Sequence, residues 1–356
     1  MDFSNPYFTV ILLSVLSLHI VEVIAAVLNL RRLLPQLPAG LADIYEADAY
    51  AKSQAYIRES ERFDILLGSV RLVIFVIFWL CGGFGWVDSL VRGWTGSPVW
   101  QGIAGVSLLY LASSLLSLPF SWWETFRIEA KYGFNKTTPA TFVIDALKSF
   151  VLTAVIGLPL FAMLIWLFSE FPLAWLWAWL VTTALMLALQ YLAPRWLMPI
   201  FNKFTPLADG SLKDAIHALS KKCEFPIAGV FVIDGSRRST KANAFFAGFG
   251  RHKRIALYDT LIEKHPEPEL IAVLAHEIGH FKCRHIIQRM IVAVAQLALL
   301  FLLMGFFLNN ARLHKAFGVA EPGVWLSFVF FMFLFEPVQS LLNICLLYTS
   351  PSPRDS

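Results

Sequence analysis

Charge is what this chain has least of. Asp, Glu, Lys and Arg together make up 15% of its 356 residues, against about 25% in a soluble domain. Hydrophobic residues reach 57%, more than a water-facing fold can bury, so the surplus must face lipid. Cysteine is scarce as well. Cys81, Cys223, Cys283 and Cys345 stand apart with no CxxC pair, which excludes a disulfide framework and a cysteine zinc site. Long polar stretches are few, and 31 Phe and 12 Trp exclude a disordered chain. The formal net charge of +4 does not mark a nucleic-acid binder, because the basic residues fall in loops flanking apolar segments.

Those apolar segments are the main content of the sequence. A membrane-spanning helix needs about 20 mostly apolar residues, and candidates lie near residues 8–30, 63–87, 99–120, 150–168, 173–192, 286–308 and 324–342. The first has no early basic cluster and no small-residue cleavage site, so it reads as a retained span, not a signal peptide. Lys plus Arg in the successive loops number 5, 1, 4, 0, 14 and 2. The positive-inside rule therefore puts loops one, three and five in the cytoplasm, the N-terminus outside and the C-terminus inside. Ionisable residues within spans are costly. His19 and Glu22 share a face of the first span and are expected to meet water or a neighbouring helix. Arg71 can snorkel or face an internal cavity, and both readings stay open. Glu336, beside Pro337, reads as a hydrogen-bonded acid at a kink more readily than as a metal ligand.

The fifth loop is the one sizeable polar stretch, and it predicts a small α/β domain. Asp209-Gly210 makes a turn, residues 211–222 an amphipathic helix, and residues 230–233, 242–249 and 254–258 three strands. Pro268 suits the first turn of a helix beginning at Glu269. No proline follows, so that helix is expected to run unbroken into the sixth span.

On it stands Leu274-Ala275-His276-Glu277-Ile278-Gly279-His280, an HExxH. Positions i and i+4 share one helical face, so His276 and His280 can hold one zinc ion. Glu277 can take the proton of the attacking water. A catalytic zinc takes three protein ligands, so one must come from elsewhere. On a regular helix His285 stands about 140° around the axis from His280. It could not join the same metal, and is left to touch substrate or cap the membrane end. Asn243-Ala244-Phe245 falls on a predicted strand, whose exposed edge could pair with an extended substrate. An ordinary strand in a small sheet explains the same pattern.

At these residues the sequence resembles the type I CAAX prenyl proteases and their bacterial relatives, a family of integral-membrane zinc metallopeptidases. The likeness extends beyond HExxH. Tyr50-Ala51-Lys52-Ser53-Gln54-Ala55-Tyr56 resembles one family segment. Glu129-Ala130-Lys131-Tyr132-Gly133-Phe134-Asn135-Lys136-Thr137-Thr138 resembles its third-loop signature. Phe201 to Leu207, Asp234 to Ser239 and Asn243-Ala244-Phe245 follow in the family's order. The resemblance implies a mainly α membrane protein, with about seven transmembrane helices around an internal chamber. A small cytoplasmic α/β domain would precede the HExxH helix. It implies one Zn2+ per chain held by His276 and His280, Glu277 as general base, Asn243 and Ala244 on a substrate-aligning strand, and His285 near the site.

One departure matters. The family's third ligand is a Glu in Ser-Arg-x-x-Glu-x-x-x-Asp after the last span, which falls near positions 350 and 354, where this chain has Ser350 and Arg354. Residues 345–355 read as the in-frame translation of a sequencing-library adapter, so the tail is expected to be non-native and the chain as written inactive. The expected division is 1–199 for the N-terminal membrane domain, 200–344 for the zinc metallopeptidase domain and 345–356 for the tail. The expected function is an integral-membrane zinc metalloendopeptidase, in a bacterial cytoplasmic membrane or an endoplasmic reticulum, with its site on the cytoplasmic side. Its expected partners are the lipid bilayer and peptide or protein substrates, lipidated C-termini among them, with no nucleic acid. A membrane quality-control zinc protease of the same clan is the alternative enzyme, and the first three spans with their loop signatures argue against it. An inactive scaffold is the other alternative, supported only by the missing third ligand.

Overall fold

The computed structural model describes residues 4–43, 45–247, 253–308 and 310–347. Seven helices among them are long and apolar enough to cross a membrane: Pro6–Arg32, Ala47–Leu80, Pro98–Tyr132, Pro139–Glu170, Ala174–Phe201, His285–Phe307 and Val324–Cys345. Each corresponds to one predicted span. The first starts where Asn5 accepts the Tyr7 N–H at 3.0 Å and ends on Arg31 and Arg32, cations suited to a helix C-terminus. The second stops earlier than its apolar run predicts. Its helix ends at Leu80, Gly82 turns the chain at φ 76°, and a separate helix, Gly83–Trp94, follows. Apolar residues continue across that turn, so hydropathy alone overshot it.

The chain gathers into two compact units. One draws on Met1–Glu124, Gly157–Ala178 and Leu300–Ser356. Its core is aromatic. The Trp79 indole N–H donates to the Ala316 carbonyl at 3.0 Å while the ring stacks on Phe317, and Phe317 stacks on Phe330 at 3.9 Å. His19 meets Ser69 of the second span at 3.0 Å, the neighbouring-helix contact expected of it. Arg71 lines a cavity of about 300 Å³ with Ser113, Ser117 and Phe120. Glu336 differs from expectation: it is exposed and makes no hydrogen bond among the described residues. The helix Val324–Leu347 continues through Pro337.

The other unit comprises Thr125–Ile156 and Trp179–Leu299 and holds the sheet. Strands β1 (Phe204–Pro206), β2 (Gly229–Ile233), β3 (Ala244–Ala247) and β4 (Arg254–Tyr258) lie in the order β1-β2-β4-β3. β2 and β4 are parallel, and the outer pairs are antiparallel. Ile255, Ala256 and Leu257 are all buried, as befits an interior strand covered on both faces. The helix Ser211–Lys222 matches its sequence reading, and its Ile216 joins Val230, Ala244, Leu257 and Leu274 in one apolar cluster. The strand predicted over 242–249 starts later, at Ala244, and its end beyond Ala247 lies outside the described residues.

Candidate metal centre and substrate edge

The HExxH helix runs Glu267–Lys282 and buries Leu270, Leu274 and Ile278, one stripe at i, i+4 and i+8. Leu270 and Leu274 join the apolar cluster of the sheet. His276 is two positions past Leu274, about 200° around the axis, and is exposed. His280 lies one turn further on the same face, and the two Nε2 atoms approach to 2.9 Å. Nitrogens bound to one tetrahedral zinc at about 2.0–2.1 Å stand ~3.3 Å apart. At 2.9 Å the two nitrogens are in hydrogen-bond contact, ~0.4 Å inside that spacing, so a small rotation of the rings admits an ion, and the donor set suits zinc. Glu277, between them in sequence, is half-buried.

The helix does not run into the sixth span. It ends at Lys282 with Cys283 as C-cap, Arg284 takes a left-handed conformation at φ 57°, and a new helix begins at His285. The predicted continuity rested on the absence of a later proline, yet an arginine makes the turn. The 140° separation of His285 from His280 falls with it, because the turn brings the two Nδ1 atoms to 2.9 Å. His285 thus meets the nitrogen of His280 that faces away from His276. Metal-ligating histidines commonly have that second nitrogen hydrogen-bonded, which sets tautomer and ring orientation.

β3 is an edge of the sheet. Asn243 precedes the strand instead of lying in it, but its carbonyl still accepts from Tyr258 N–H at 3.0 Å. Antiparallel pairing alternates, so with Ala244 opposite Leu257 the backbone groups of Ala244 and Phe246 point to the open edge. The Ala244 N–H is met by the Asn243 side-chain oxygen at 2.9 Å. The Ala244 side chain is buried, so only its backbone is available to a substrate.

The third-loop signature explains itself here. Gly133 takes φ 79°, which returns the chain so that Phe134 accepts from Thr240 N–H at 3.0 Å and Lys136 N–H donates to Arg238 at 3.0 Å. Lys241 reaches Glu129 at 2.7 Å. Arg238 donates to Asp145 at 2.7 and 3.1 Å, to Asn202 Oδ1 at 3.1 Å and to the Phe201 carbonyl at 2.6 Å. Hydrogen bonding to Asp145 holds its guanidinium above the ordinary arginine range. Asp259 accepts from the Ser236 N–H at 2.8 Å, and Lys264 donates to the Thr240 carbonyl. The segment leading into β3 is therefore fastened from both sides. Gly235 sits under Tyr258, whose ring a Cβ there would strike at 2.1 Å. Periodicity in the sequence carries no trace of these long-range fastenings; only the spacing of the motifs does.

Among the described residues no group of three or more His, Cys, Asp or Glu is placed to hold a metal, and positions 350 and 354 lie outside the described residues.

Residues 27–203 match the family model described as CAAX prenyl protease N-terminal, five membrane helices. Residues 206–352 match that of peptidase family M48. A CAAX prenyl protease 1 homolog of Oryza sativa subsp. japonica is 33% identical over 354 residues, spanning 96% of this chain and 83% of the relative. A probable CAAX prenyl protease 1 of Schizosaccharomyces pombe is 35% identical over 333 residues, spanning 88% and 70%. The crystal structure of S. mikatae Ste24p matches with a TM-score of 0.90 at 28% identity, covering 96% of this chain and 84% of that one.

Proposed function

The chain belongs to the CAAX prenyl protease family within peptidase family M48, and from that membership we propose how its residues divide the work. It is a multi-pass integral-membrane zinc metalloprotease acting on peptide or protein substrates. Residues 1–199 serve as the N-terminal membrane domain, and 200–344, which include the last two spans, as the peptidase domain. His276 and His280 hold one zinc ion through Nε2, a reading carried by the 2.9 Å approach of those two atoms on the exposed helix face. Bound zinc polarises the scissile carbonyl and acidifies a water. Glu277 receives the water's proton on its carboxylate and passes it to the leaving amine. His285 orients the His280 ring through their Nδ1 contact. The open edge of β3 takes the substrate backbone as an added strand, with Asn243 releasing the Ala244 N–H to it.

On this reading His285→Ala lowers zinc affinity about 10–100-fold while leaving the fold intact. A chelator-competition titration measures it, and an unchanged affinity removes the orienting role. With Ser350 and Arg354 at the positions where the family carries Glu and Asp, this chain brings His276 and His280 without that third ligand and holds zinc weakly. Zinc analysis beside a chain carrying the Glu-x-x-x-Asp segment tests this, and equal zinc in both would overturn it.

Lipidated C-termini are the proposed substrate class, on the strength of the relatives' names. A prenylated Cys-a-a-X peptide should be cleaved faster than its unprenylated twin, and equal rates would remove the lipid from recognition. The active site is proposed to face the cytoplasm, from the loop charges. In a background with the four cysteines replaced, a probe cysteine at Ser97 should label in intact cells and one at Ser211 should not; the reverse pattern inverts the topology.

A further inference from the structure

We propose that the turn between the HExxH helix and the sixth span forms a binding site for the phosphate head group of an anionic phospholipid. Lys253 carries the first observation. It is 8% exposed, with its ammonium over the rings of Phe225 at 4.0 Å and Phe281 at 4.1 Å. No carboxylate among the described residues pairs with it, and burial alone pushes it below the ordinary lysine range. Among the described residues this cation is held by two aromatic faces alone, an incomplete arrangement, and an anion beside it completes it.

The second observation is the space next to it. Lys253 borders a cavity of about 240 Å³ whose wall also carries Lys282, Arg284, Ile286 and Ile287. Glu224 is the one acid on that wall, so three cations face one carboxylate. A ligand there is anionic, and it also meets apolar surface.

The third observation names the source. The sixth span starts at His285, so Ile286 and Ile287 are its first turn and the cavity lies beside the end of a membrane-spanning helix, the level at which head groups meet a span. Juxtamembrane basic clusters attract anionic lipid there. A free phosphate would use the cations but leave the isoleucine wall in water. The turns shaping the cavity are also unusual. Glu224 at φ 48° and Arg284 at φ 57° are two of the three non-glycine residues with positive φ among those described. Backbone held in this region clusters at ligand clamps.

The test uses the full chain in detergent, with native mass spectrometry reading bound lipid. Short-chain phosphatidic acid, phosphatidylcholine and inorganic phosphate are added in separate arms. One phosphatidic acid should bind per chain in preference to phosphatidylcholine, and equal concentrations of inorganic phosphate should not displace it. Each cation removed should weaken binding about fivefold. Lys253→Met therefore shows that loss once, and Lys282→Gln with Arg284→Asn shows it twice over. Asparagine tolerates the left-handed backbone at 284, and both residues of this pair are exposed, so the pair decides the matter should Lys253→Met fail to fold. Equal binding of the two lipids, full affinity in the paired variant, or displacement by inorganic phosphate would each overturn the site.

Discussion

Glu277→Gln, made in a chain that carries the family's Glu-x-x-x-Asp segment, should keep its zinc and lose peptidase activity by about 10²–10⁴-fold, the usual contribution of a positioned general base. The substitution conserves shape and removes only the capacity to hold a proton. Glu277 is half-buried on the helix whose Leu274 and Ile278 are fixed in the core, so the amide should occupy the same volume without disturbing His276 or His280. The loss should fall on kcat, with KM little changed, because a base acts on the water and not on substrate binding. Zinc content measured on the same sample separates this outcome from metal loss. Activity within a few-fold of the parent, with zinc retained, would sink Glu277 as the base and with it the proposed route of proton transfer.

Much of the architecture was legible because its causes are local. Seven apolar runs give seven span-length helices, since lipid admits only segments that satisfy their own backbone. The helix Ser211–Lys222 and the strand Arg254–Tyr258 follow from period and from flanking turn residues. The misses have non-local causes. The turn at Arg284 has no glycine or proline to mark it, and it is what brings His285 to His280. β1 is three residues long and ends in Pro206, too short for a period, and exists because β2 supplies its partner. The short helix Asp259–Lys264 has only six residues in which to show a pattern. At the site, the HExxH spacing by itself puts two nitrogen donors on one helical face. The fastening of residues 236–244 shows in the sequence only as three separated motifs, and nothing in their order says that they meet.

That fastening leads to the second large effect. Arg238→Ala should destabilise the unit holding the sheet by about 2–4 kcal/mol, the range for removing one partner of a largely buried, hydrogen-bonded ion pair. The Arg238 and Asp145 side chains are 22% and 21% exposed, so solvent screens the pair in part and the loss should fall toward the lower end of that range. Removing the guanidinium leaves the Asp145 carboxylate without its two-point partner and also strips Asn202 and the Phe201 carbonyl of a donor. Lysine should rescue poorly, because one ammonium cannot reproduce a planar fork that serves three acceptor residues. The backbone bond from Lys136 N–H to the Arg238 carbonyl survives in the alanine variant, so the segment loosens without detaching. Six residues on, β3 should lose register, and KM should rise while zinc affinity stays near the parent value. Denaturant unfolding in detergent measures the stability loss. A cycle with Asp145→Asn isolates the pair, since the double variant should cost clearly less than the two single losses added together. A loss under about 0.5 kcal/mol for Arg238→Ala, the level of an ordinary surface pair, would mean that these motifs are held together by their backbone bonds alone.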